Sequence, residues 1–360
     1  MLISIGNIFE SKCNTIVNTV NCVGVMGKGI ALEFKKLYPD MYLDYIQKCQ
    51  DKILQPGKPY LYKNSVGKSI LNFPTKNHWR SPSKLSYIIE GLDWFIENYE
   101  KLDIQSIAFP PLGCGNGGLT WDVVGPIMYQ KLCNLPIEIE IYAPFGTRKS
   151  ELKKEFLSKN YTSNEMSGKT FKTINDSWYL LLQVINELNK RQYSLKVGRT
   201  IYQKICYVLT RNGVNTGFKF TKGTYGPYSV QVKDSITILA NANLIKEEAI
   251  GKMMKLSVTD LAQFNEEKYN HNELIAAKKT IDLFGRIKNS EQAEFIATVL
   301  YSYDSLKKEK NSISDQDVYN YVLQWKPRWE NEKSYLVKDT IENLAMLSLI
   351  NIKHNELFNL

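Results

Sequence analysis

The sequence has few of the residues from which metal centres and cross-links are built. It contains three histidines, far apart, and six cysteines without a CxxC pair. Reduced thiols are therefore expected and a structural zinc site is not. No apolar run approaches the ~18 residues of a membrane span, and the N-terminus lacks the basic flank and the small-residue cleavage site of a signal peptide. We expect a cytoplasmic protein with no metal, no other cofactor and no membrane partner.

The net charge of +9 is dispersed along the chain. Residues 1–150 carry 16 basic against 13 acidic side chains, and the rest of the chain carries 30 against 24. Without a dense basic run, this excess permits a nucleic-acid partner but does not require one. With 360 residues, the chain is long enough for two or three domains.

The first 147 residues alternate between strand and helix patterns. This alternation predicts an α/β domain in which helices flank a mixed sheet on both faces, with ligands at the carboxyl ends of strands. Strands are expected at residues 2–5, 15–18, 60–63, 69–73, 106–109 and 137–142. Helices are expected at residues 29–38, 40–49, 83–102 and 120–132, and the segment Ser81-Pro-Ser-Lys84 is expected to cap the third.

The second half has a different pattern. A charged helix and a polar stretch over residues 148–170 predict a linker. Helices expected at 177–187, 196–211 and 229–240 precede two short strands within 244–258, an order typical of a winged helix. A similar order recurs from residue 290, with helices expected at 291–307, 314–324 and 337–346 before the apolar run 349–352. We therefore predict a winged-helix-like α+β domain at 171–270 and a second helical or winged-helix-like unit at 271–360.

Two loops concentrate glycine directly after predicted strands. The loop Gly113–Gly118 holds four glycines in six residues, and the loop Asn21–Gly29 holds three more. Glycine lets backbone amides approach a ligand, and the helix N-terminus behind each loop favours an anion. Two such loops in one α/β domain predict a nucleotide-diphosphate ligand held from both sides.

Two polar residues at strand ends offer chemistry. Asn21 can both donate to and accept from a ribose hydroxyl, although capping a turn is the commoner role of asparagine. Lys76 lies just past the strand 69–73, where a cleft can free the amine of its proton and make it a nucleophile toward a sugar C1 carbon. An ordinary surface lysine is the commoner alternative.

Four further residues have a chemical and a structural interpretation each. Cys114 lies in the second glycine loop, but no histidine base is near it in sequence, so a small turn residue is favoured over a nucleophile. His78 is either a general acid or base, or a packing residue at the edge of the substrate. Trp79 and Arg80 either clamp a polynucleotide or fill their loop.

Five motifs together resemble those of the macrodomain family. They are Gly6-Asn-Ile8, Ile16-Val-Asn-Thr-Val-Asn21, Gly24–Ala31, Phe73-Pro-Thr-Lys76 and Pro111–Leu119. More narrowly, they look like those of DarG-type antitoxins, which are DNA ADP-ribosyl glycohydrolases paired with DarT-type toxins. The resemblance runs through residues 1–147. Beyond them it is architectural, and it implies a tail that binds the toxin.

The resemblance implies an ADP-ribose site and a role for each residue in it. Lys76 would attack the distal ribose C1 and displace thymine. The adenine end would meet Asn7 and Ile8; the distal ribose would meet Thr19, Val20, Asn21 and Thr75, with Met26, Gly27, Lys28 and Gly29 closing over it; and the diphosphate would meet Gly113, Cys114, Gly115, Asn116 and Gly117.

The sequence departs from the related human terminal ADP-ribose glycohydrolase at one position. In that enzyme an aspartate of the second loop helps to release the lysine adduct, whereas Gly117 occupies its place here. Release would then depend on water, His78, Asn116 or the substrate phosphate, or the lysine would act differently.

Three functions follow as hypotheses. The first is an antitoxin that removes ADP-ribose from thymidine in DNA, while residues 171–360 bind and neutralise a DarT-like ADP-ribosyltransferase. The second is a macrodomain that binds ADP-ribose without hydrolysing it. The third is a DNA-binding autoregulator that uses the wing lysines Lys246, Lys252 and Lys255. Six aromatic residues form either an interface hot spot or core; they are Tyr202, Tyr207, Phe218, Phe220, Tyr225 and Tyr228.

Overall fold

The computed structural model describes residues 1–64, 67–158, 174–192, 194–251 and 253–353. The chain forms two compact units, the first comprising Met1–Thr173 with Thr237–Ala242 and the second comprising Ile174–Ile236 with Asn243–Leu360. Residues 159–170 of the predicted linker, and Lys252 of the predicted wing, lie outside the described residues. Within the described ranges, no helix is both long enough and apolar enough to cross a bilayer.

The first unit is built on a six-stranded mixed sheet with the spatial order β1-β6-β5-β2-β4-β3. Its strands are β1 (Leu2–Ser4), β2 (Thr15–Asn21), β3 (Tyr60–Tyr62), β4 (Ser69–Lys76), β5 (Ser106–Phe109) and β6 (Glu138–Tyr142). Every neighbouring pair is parallel except β3 with β4. Its helices are α1 (Gly29–Leu37), α2 (Pro39–Gln50), α3 (Leu85–Asn98), α4 (Trp121–Leu132) and α5 (Lys154–Leu157).

Two buried clusters show that helices cover both faces of this sheet. Successive residues of a strand point to opposite faces, and Ile16 and Val17 of β2 accordingly belong to different clusters. The Ile16 cluster contains Phe34 of α1 and Tyr45 of α2. The Val17 cluster contains residues of α3 and α4, among them Phe95. The predicted α/β sandwich is confirmed.

Two strands are longer than predicted, and both extensions reach the candidate site. Strand β4 continues through Pro74 to Lys76, and β2 continues to Asn21. Proline lacks an amide hydrogen and is tolerated where no neighbouring strand needs it. Strand β3 pairs only with Ile70–Asn72, and beyond it the Gly57 amide donates to the Pro74 carbonyl at 3.2 Å, so no neighbouring strand needs an amide hydrogen from Pro74. Lys76 is therefore the last residue of a strand rather than a residue just past one.

The second unit is mainly helical, and it contains the predicted hairpin. Its helices are α6 (Asp176–Lys190), α7 (Arg199–Arg211), α8 (Val230–Asn241), α9 (His271–Arg286), α10 (Ser290–Leu306), α11 (Asp315–Trp325), α12 (Trp329–Glu332) and α13 (Ser334–Met346). Its strands form two antiparallel pairs, β7 (Thr221–Gly223) with β8 (Gly226–Tyr228) and β9 (Ile245–Ile250) with β10 (Met253–Val258). Among the described residues, the segment 349–352 forms no strand, and an isolated bridge from Ser314 to Lys353 lies just after it.

Candidate functional site

The side chain of Asn21 organises the first glycine loop. Its Oδ1 accepts hydrogen bonds from the amides of Val23 at 3.0 Å and Val25 at 3.4 Å, and its Nδ2 donates to the Val25 carbonyl at 2.6 Å. The Tyr45 hydroxyl donates to the Asn21 carbonyl at 2.8 Å. These contacts give Asn21 the turn-capping role, and they fix the shape of the loop from within.

The second glycine loop folds tightly on itself. The Gly113 carbonyl accepts from the Leu119 amide at 3.1 Å, and the Gly117 carbonyl accepts from the Ser83 amide at 2.9 Å. A Cβ atom on Gly117 would lie 2.2 Å from the Gly113 oxygen and 2.4 Å from Ser83 Oγ. No side chain fits at Gly117 in this conformation, so an aspartate there is sterically excluded as well as absent. Ser83 serves this loop, and the side-chain cap predicted for α3 does not form.

Three backbone amides of this loop are available to a ligand. In the part of the chain that the structure describes, no hydrogen bond uses the amides of Gly115, Asn116 or Gly117. Gly115 and Asn116 are exposed, and a Cβ on Gly115 would meet nothing within 4 Å. Consecutive unpaired amides of this kind form an anion-binding concavity.

Lys76 links its strand to the second glycine loop. Its half-buried side chain extends from the end of β4, and Nζ donates to the Asn116 carbonyl at 2.6 Å. The Asn116 side chain reaches the first loop, where its Nδ2 lies 3.0 Å from the place that a Cβ on Gly29 would occupy. Gly29 has a φ of +58°. The amine and both glycine loops therefore meet at one edge of the sheet.

Three of the remaining predicted residues lie on the Ile16 side of the sheet. Ile8, Val20 and Met26 share one buried cluster, although they come from three segments of the chain. Asn7 caps the short helix Ile8–Glu10 by accepting from the Phe9 amide at 3.2 Å. Three further residues lie in the loops or strands of the site: Thr19, which is half-buried, Thr75, which is buried, and Lys28, which is exposed.

Cys114 is placed for packing rather than for nucleophilic attack. Its thiol is buried, and burial, aided by the charge of Asp122, raises its pKa to about 12. The thiolate, which is the reactive species, is therefore scarce at neutral pH. Its sulfur lies 3.7 Å from the Leu112 carbonyl, within the loop itself.

The loop after Lys76 presents an aromatic and cationic surface. His78 Nδ1 accepts the Arg80 amide at 3.2 Å, which assigns the proton of a neutral ring to Nε2. The Trp79 ring is 43% exposed, and the Arg80 guanidinium lies 4.5 Å from its centre. The Trp79 ring and the Arg80 guanidinium can both contact a polynucleotide, because neither is buried in the interior of the loop.

A buried pair of asparagine side chains, which was not predicted, lies beneath the first loop. Asn18 of β2 donates to Asn72 of β4 at 2.9 Å, and both side chains are fully buried. Asn18 Nδ2 also lies 3.9 Å from the sulfur of Met26. The available signal was two asparagines at inward positions of buried strands, where an apolar residue is the rule. Among the described residues, no group of histidine, cysteine, aspartate or glutamate side chains could hold a metal ion.

Comparison with known proteins finds a family model and several relatives. Residues 17–128 match the model of the Macro domain family. The DNA ADP-ribosyl glycohydrolase of Mycobacterium tuberculosis is 36% identical over 232 residues, which cover 63% of this chain and 64% of that protein. A DNA ADP-ribosyl transferase-DNA ADP-ribosyl glycohydrolase fusion protein of Thermosipho africanus is 42% identical over 161 residues, or 40% of this chain and 42% of that one. The solved macrodomain of Mycobacterium tuberculosis DarG is 45% identical and covers 40% of this chain and 98% of its own, with a TM-score of 0.38.

Proposed function

We propose that the first unit is a macrodomain, as its match to the Macro domain model over residues 17–128 supports, and that it hydrolyses the N-glycosidic bond between ADP-ribose and thymidine in DNA. The observation that carries this proposal is the position of Lys76, whose amine lies at the junction of two glycine loops, 2.6 Å from the Asn116 carbonyl. The name of the 36% identical relative, a DNA ADP-ribosyl glycohydrolase, supports the same activity. The chain spans less than two thirds of that relative.

The ligand in this proposal is ADP-ribose. The open amides of Gly115 and Asn116 would receive the diphosphate, because amides bind anions where no side chain intervenes. Met26 to Gly29 would close over the distal ribose. Asn21 would act indirectly, since its side-chain amide already holds the loop at Val23 and Val25. Asn7 and Ile8 would meet the adenine end, Thr19, Val20 and Thr75 the ribose, and Gly113, Cys114 and Gly117 the diphosphate through the backbone.

Catalysis would proceed through two displacements at the distal ribose C1 carbon. In the first, the Lys76 amine forms a bond to C1 while the bond from C1 to the thymine nitrogen breaks and the base takes up a proton. In the second, water replaces the amine at C1 and releases ADP-ribose. The loop amides would stabilise the negative charge that develops on the departing base at no cost of reorganisation. Because Gly117 leaves no room for a carboxylate, deprotonation of that water would fall to the substrate phosphate or to His78 after Nδ1 releases the Arg80 amide, and the Asn116 side chain could only orient the water by hydrogen bonding.

The test is release of ADP-ribose from a modified thymidine oligonucleotide, followed by mass spectrometry. We expect complete restoration of the base by the wild-type chain and none by Lys76→Ala. Lys101→Ala is the matched control, because Lys101 is an exposed lysine of the same unit, and it should behave as wild type. Full turnover by Lys76→Ala would refute the mechanism.

Titration calorimetry with free ADP-ribose separates the enzyme from a macrodomain that only binds. Both functions require binding by the wild-type chain and by Lys76→Ala. Binding without release by the wild-type chain would make the protein an ADP-ribose reader. If the wild-type chain gives no heat of binding, both the glycohydrolase and the ADP-ribose reader are excluded.

For the second unit, we propose stoichiometric neutralisation of a DarT-like ADP-ribosyltransferase. The fusion protein of Thermosipho africanus joins a transferase to a glycohydrolase in one chain, which supports a functional pairing of the two. Of the six aromatic residues singled out from the sequence, Tyr225 and Tyr228 are exposed, at 66% and 40%. Tyr202, Tyr207 and Phe218 are core. Co-purification of the full chain with the transferase, and its loss in a Tyr225→Ala, Tyr228→Ala variant, tests the surface.

A DNA-binding autoregulator receives less support. In the β9–β10 hairpin, Lys255 pairs across the strands with Glu248, and Glu247 binds Arg199 with contacts of 2.6 and 2.7 Å. The described part of the hairpin therefore places carboxylates beside its lysines rather than presenting the purely positive surface that phosphates attract.

A further inference from the structure

The second unit contains a groove that the proposed function leaves unused. It has a volume of 440 Å³ and is lined by residues of α7, of α10 and of the segment around β7. Four aromatic residues line it: Tyr207, Phe220, Tyr301 and Tyr303. We refer to it as the aromatic groove.

The rings of the aromatic groove are fixed against one another. Tyr207 meets Phe220 edge-on with ring centres 5.3 Å apart, and it meets Tyr301 at 5.9 Å. Tyr207 is buried, whereas Phe220 and Tyr301 are half-buried and keep part of their surface toward solvent. A rigid, half-exposed aromatic surface is what an unpaired base requires for stacking.

The charge of the groove is positive. Its lining contains one carboxylate among the residues described, Asp304, and that group is already neutralised. Arg211 holds both of its oxygens at 2.9 and 3.0 Å, and the Tyr207 hydroxyl donates to it at 2.8 Å. Lys307 and Lys308 lie at the same groove, both exposed. Within the described ranges neither lysine has an ion-pair partner, so the groove offers two cations beside its aromatic rings.

We infer that the aromatic groove binds single-stranded nucleic acid. Bases stack on Phe220 and Tyr301, and backbone phosphates contact Lys307 and Lys308. Every base can stack, and phosphate contacts carry no sequence information. The groove therefore holds a strand without selecting its bases. The inference rests on the proposed function in one respect: if the first unit acts on DNA, a groove for single strands in the second unit would add to the affinity of the chain for such a substrate.

The experiment measures binding of a fluorescently labelled oligothymidine of about twelve nucleotides to the full chain by anisotropy, over a series of salt concentrations. Lys307→Ala with Lys308→Ala removes two phosphate contacts and should lower the slope of log affinity against log salt by about 1.4. Tyr301→Leu keeps an apolar side chain but removes the stacking surface, and it should weaken binding by about five- to a hundredfold. Circular dichroism checks that both variants are folded.

The matched control is Lys278→Ala with Lys279→Ala, a second adjacent pair of exposed lysines in the same unit, on α9. Equal affinity and salt slope for the two double variants would overturn the inference. So would unchanged DNA binding by the groove variants combined with loss of transferase binding, because the occupant would then be a protein.

Turnover of an ADP-ribosylated mononucleoside separates this inference from the proposed function. The groove variants should process the mononucleoside as wild type does, while their KM for a modified oligonucleotide rises. A wild-type chain that binds oligothymidine through the groove but releases no ADP-ribose would refute the glycohydrolase and leave the groove assignment standing.

Discussion

At the scale of single residues, two glycines of the second loop have opposite surroundings although they are two positions apart. A Cβ on Gly117 would collide with the backbone of Gly113 at 2.2 Å, whereas one on Gly115 would meet open space. The glycine count of the sequence could not distinguish them, because the contact depends on how the loop closes. Gly117 is required by the fold of the loop, and Gly115 leaves the loop open to a ligand.

Alanine at these two positions should therefore have different effects. Gly117→Ala forces the backbone apart and should cost about 1–3 kcal/mol of unfolding free energy. Gly115→Ala should change it by less than about 0.5 kcal/mol. If displacement of the loop removes one amide from the diphosphate, ADP-ribose affinity of Gly117→Ala falls about tenfold or more. Urea unfolding and calorimetry measure the two effects, and equal stability of the two variants would contradict the geometry.

A second residue-scale prediction concerns the buried lysine of α7. Lys204 is 2% exposed, and burial lowers its pKa from 10.5 to about 8. Below about pH 8 both states of the protein are protonated, and the folded state bears the full cost of burying the charge. Between about pH 8 and 10.5 the folded state loses its proton first, so this cost is relieved as pH rises.

Lys204→Met should thus stabilise the protein at neutral pH by about 1–3 kcal/mol. The advantage should shrink as pH rises toward about 10. Urea unfolding of the wild-type and Lys204→Met proteins at several pH values tests this. The titratable groups that both proteins share contribute equally, so their contributions cancel in the difference between the two unfolding free energies. A Met variant that is less stable at neutral pH would show that the Lys204 contact with the Pro227 carbonyl, at 3.4 Å, outweighs the cost of burial.

The residues of the candidate site were predictable to different degrees. Lys76 and both glycine loops are each recognisable from a few consecutive residues, so the sequence alone was enough to predict that they belong to one site. The turn-capping alternative for Asn21 depends on Val23 and Val25, two and four residues later, whereas its contact with Tyr45, 24 residues later, was not predictable. The Asn18–Asn72 pair spans 54 residues. Contacts between distant segments leave no local pattern.

At the scale of elements, strand ends and one helix were the weak points of the prediction. Strand β4 was predicted to end at Phe73, just before Pro74. The sequence could not show that a proline is tolerated there, because the residues with which β3 pairs cannot be inferred from a local pattern. Helix α9 was missed although its start carries a capping box: Asn270 Oδ1 accepts from the Glu273 amide, and Glu273 Oε2 accepts from the Asn270 amide, both at 3.0 Å. The sequence Asn270-His-Asn-Glu273 was therefore a usable signal.

Removal of this cap should destabilise the second unit. Asn270→Ala leaves the Glu273 amide without its partner and should cost about 1 kcal/mol. Asn270→Asp retains an acceptor and places a negative charge at the helix N-terminus, so it should recover most of the loss. Chemical unfolding followed by far-ultraviolet circular dichroism measures both. If Asp proves no better than Ala, the capping hydrogen bond is not what stabilises the start of α9.

At the scale of the whole molecule, the chain combines a unit that contains the match to the Macro domain model with a unit of different architecture. The two have different compositions of strands and helices. The division of labour that we propose, with hydrolysis in the first unit and toxin neutralisation in the second, predicts that the two activities can be removed one at a time. A single substitution in the first unit then suffices to separate them.

Lys76→Ala should abolish hydrolysis and leave neutralisation intact. In an assay of DNA ADP-ribosylation by the transferase, the wild-type chain suppresses the product even when it is scarcer than the transferase, because each molecule turns over many modified bases. Lys76→Ala suppresses it only by occupying the transferase, so its titration should break at equimolar amounts. Lys101→Ala should follow the wild-type curve. A Lys76→Ala chain that fails to suppress the product at any ratio would show that neutralisation depends on hydrolysis and that the second unit does not bind the toxin.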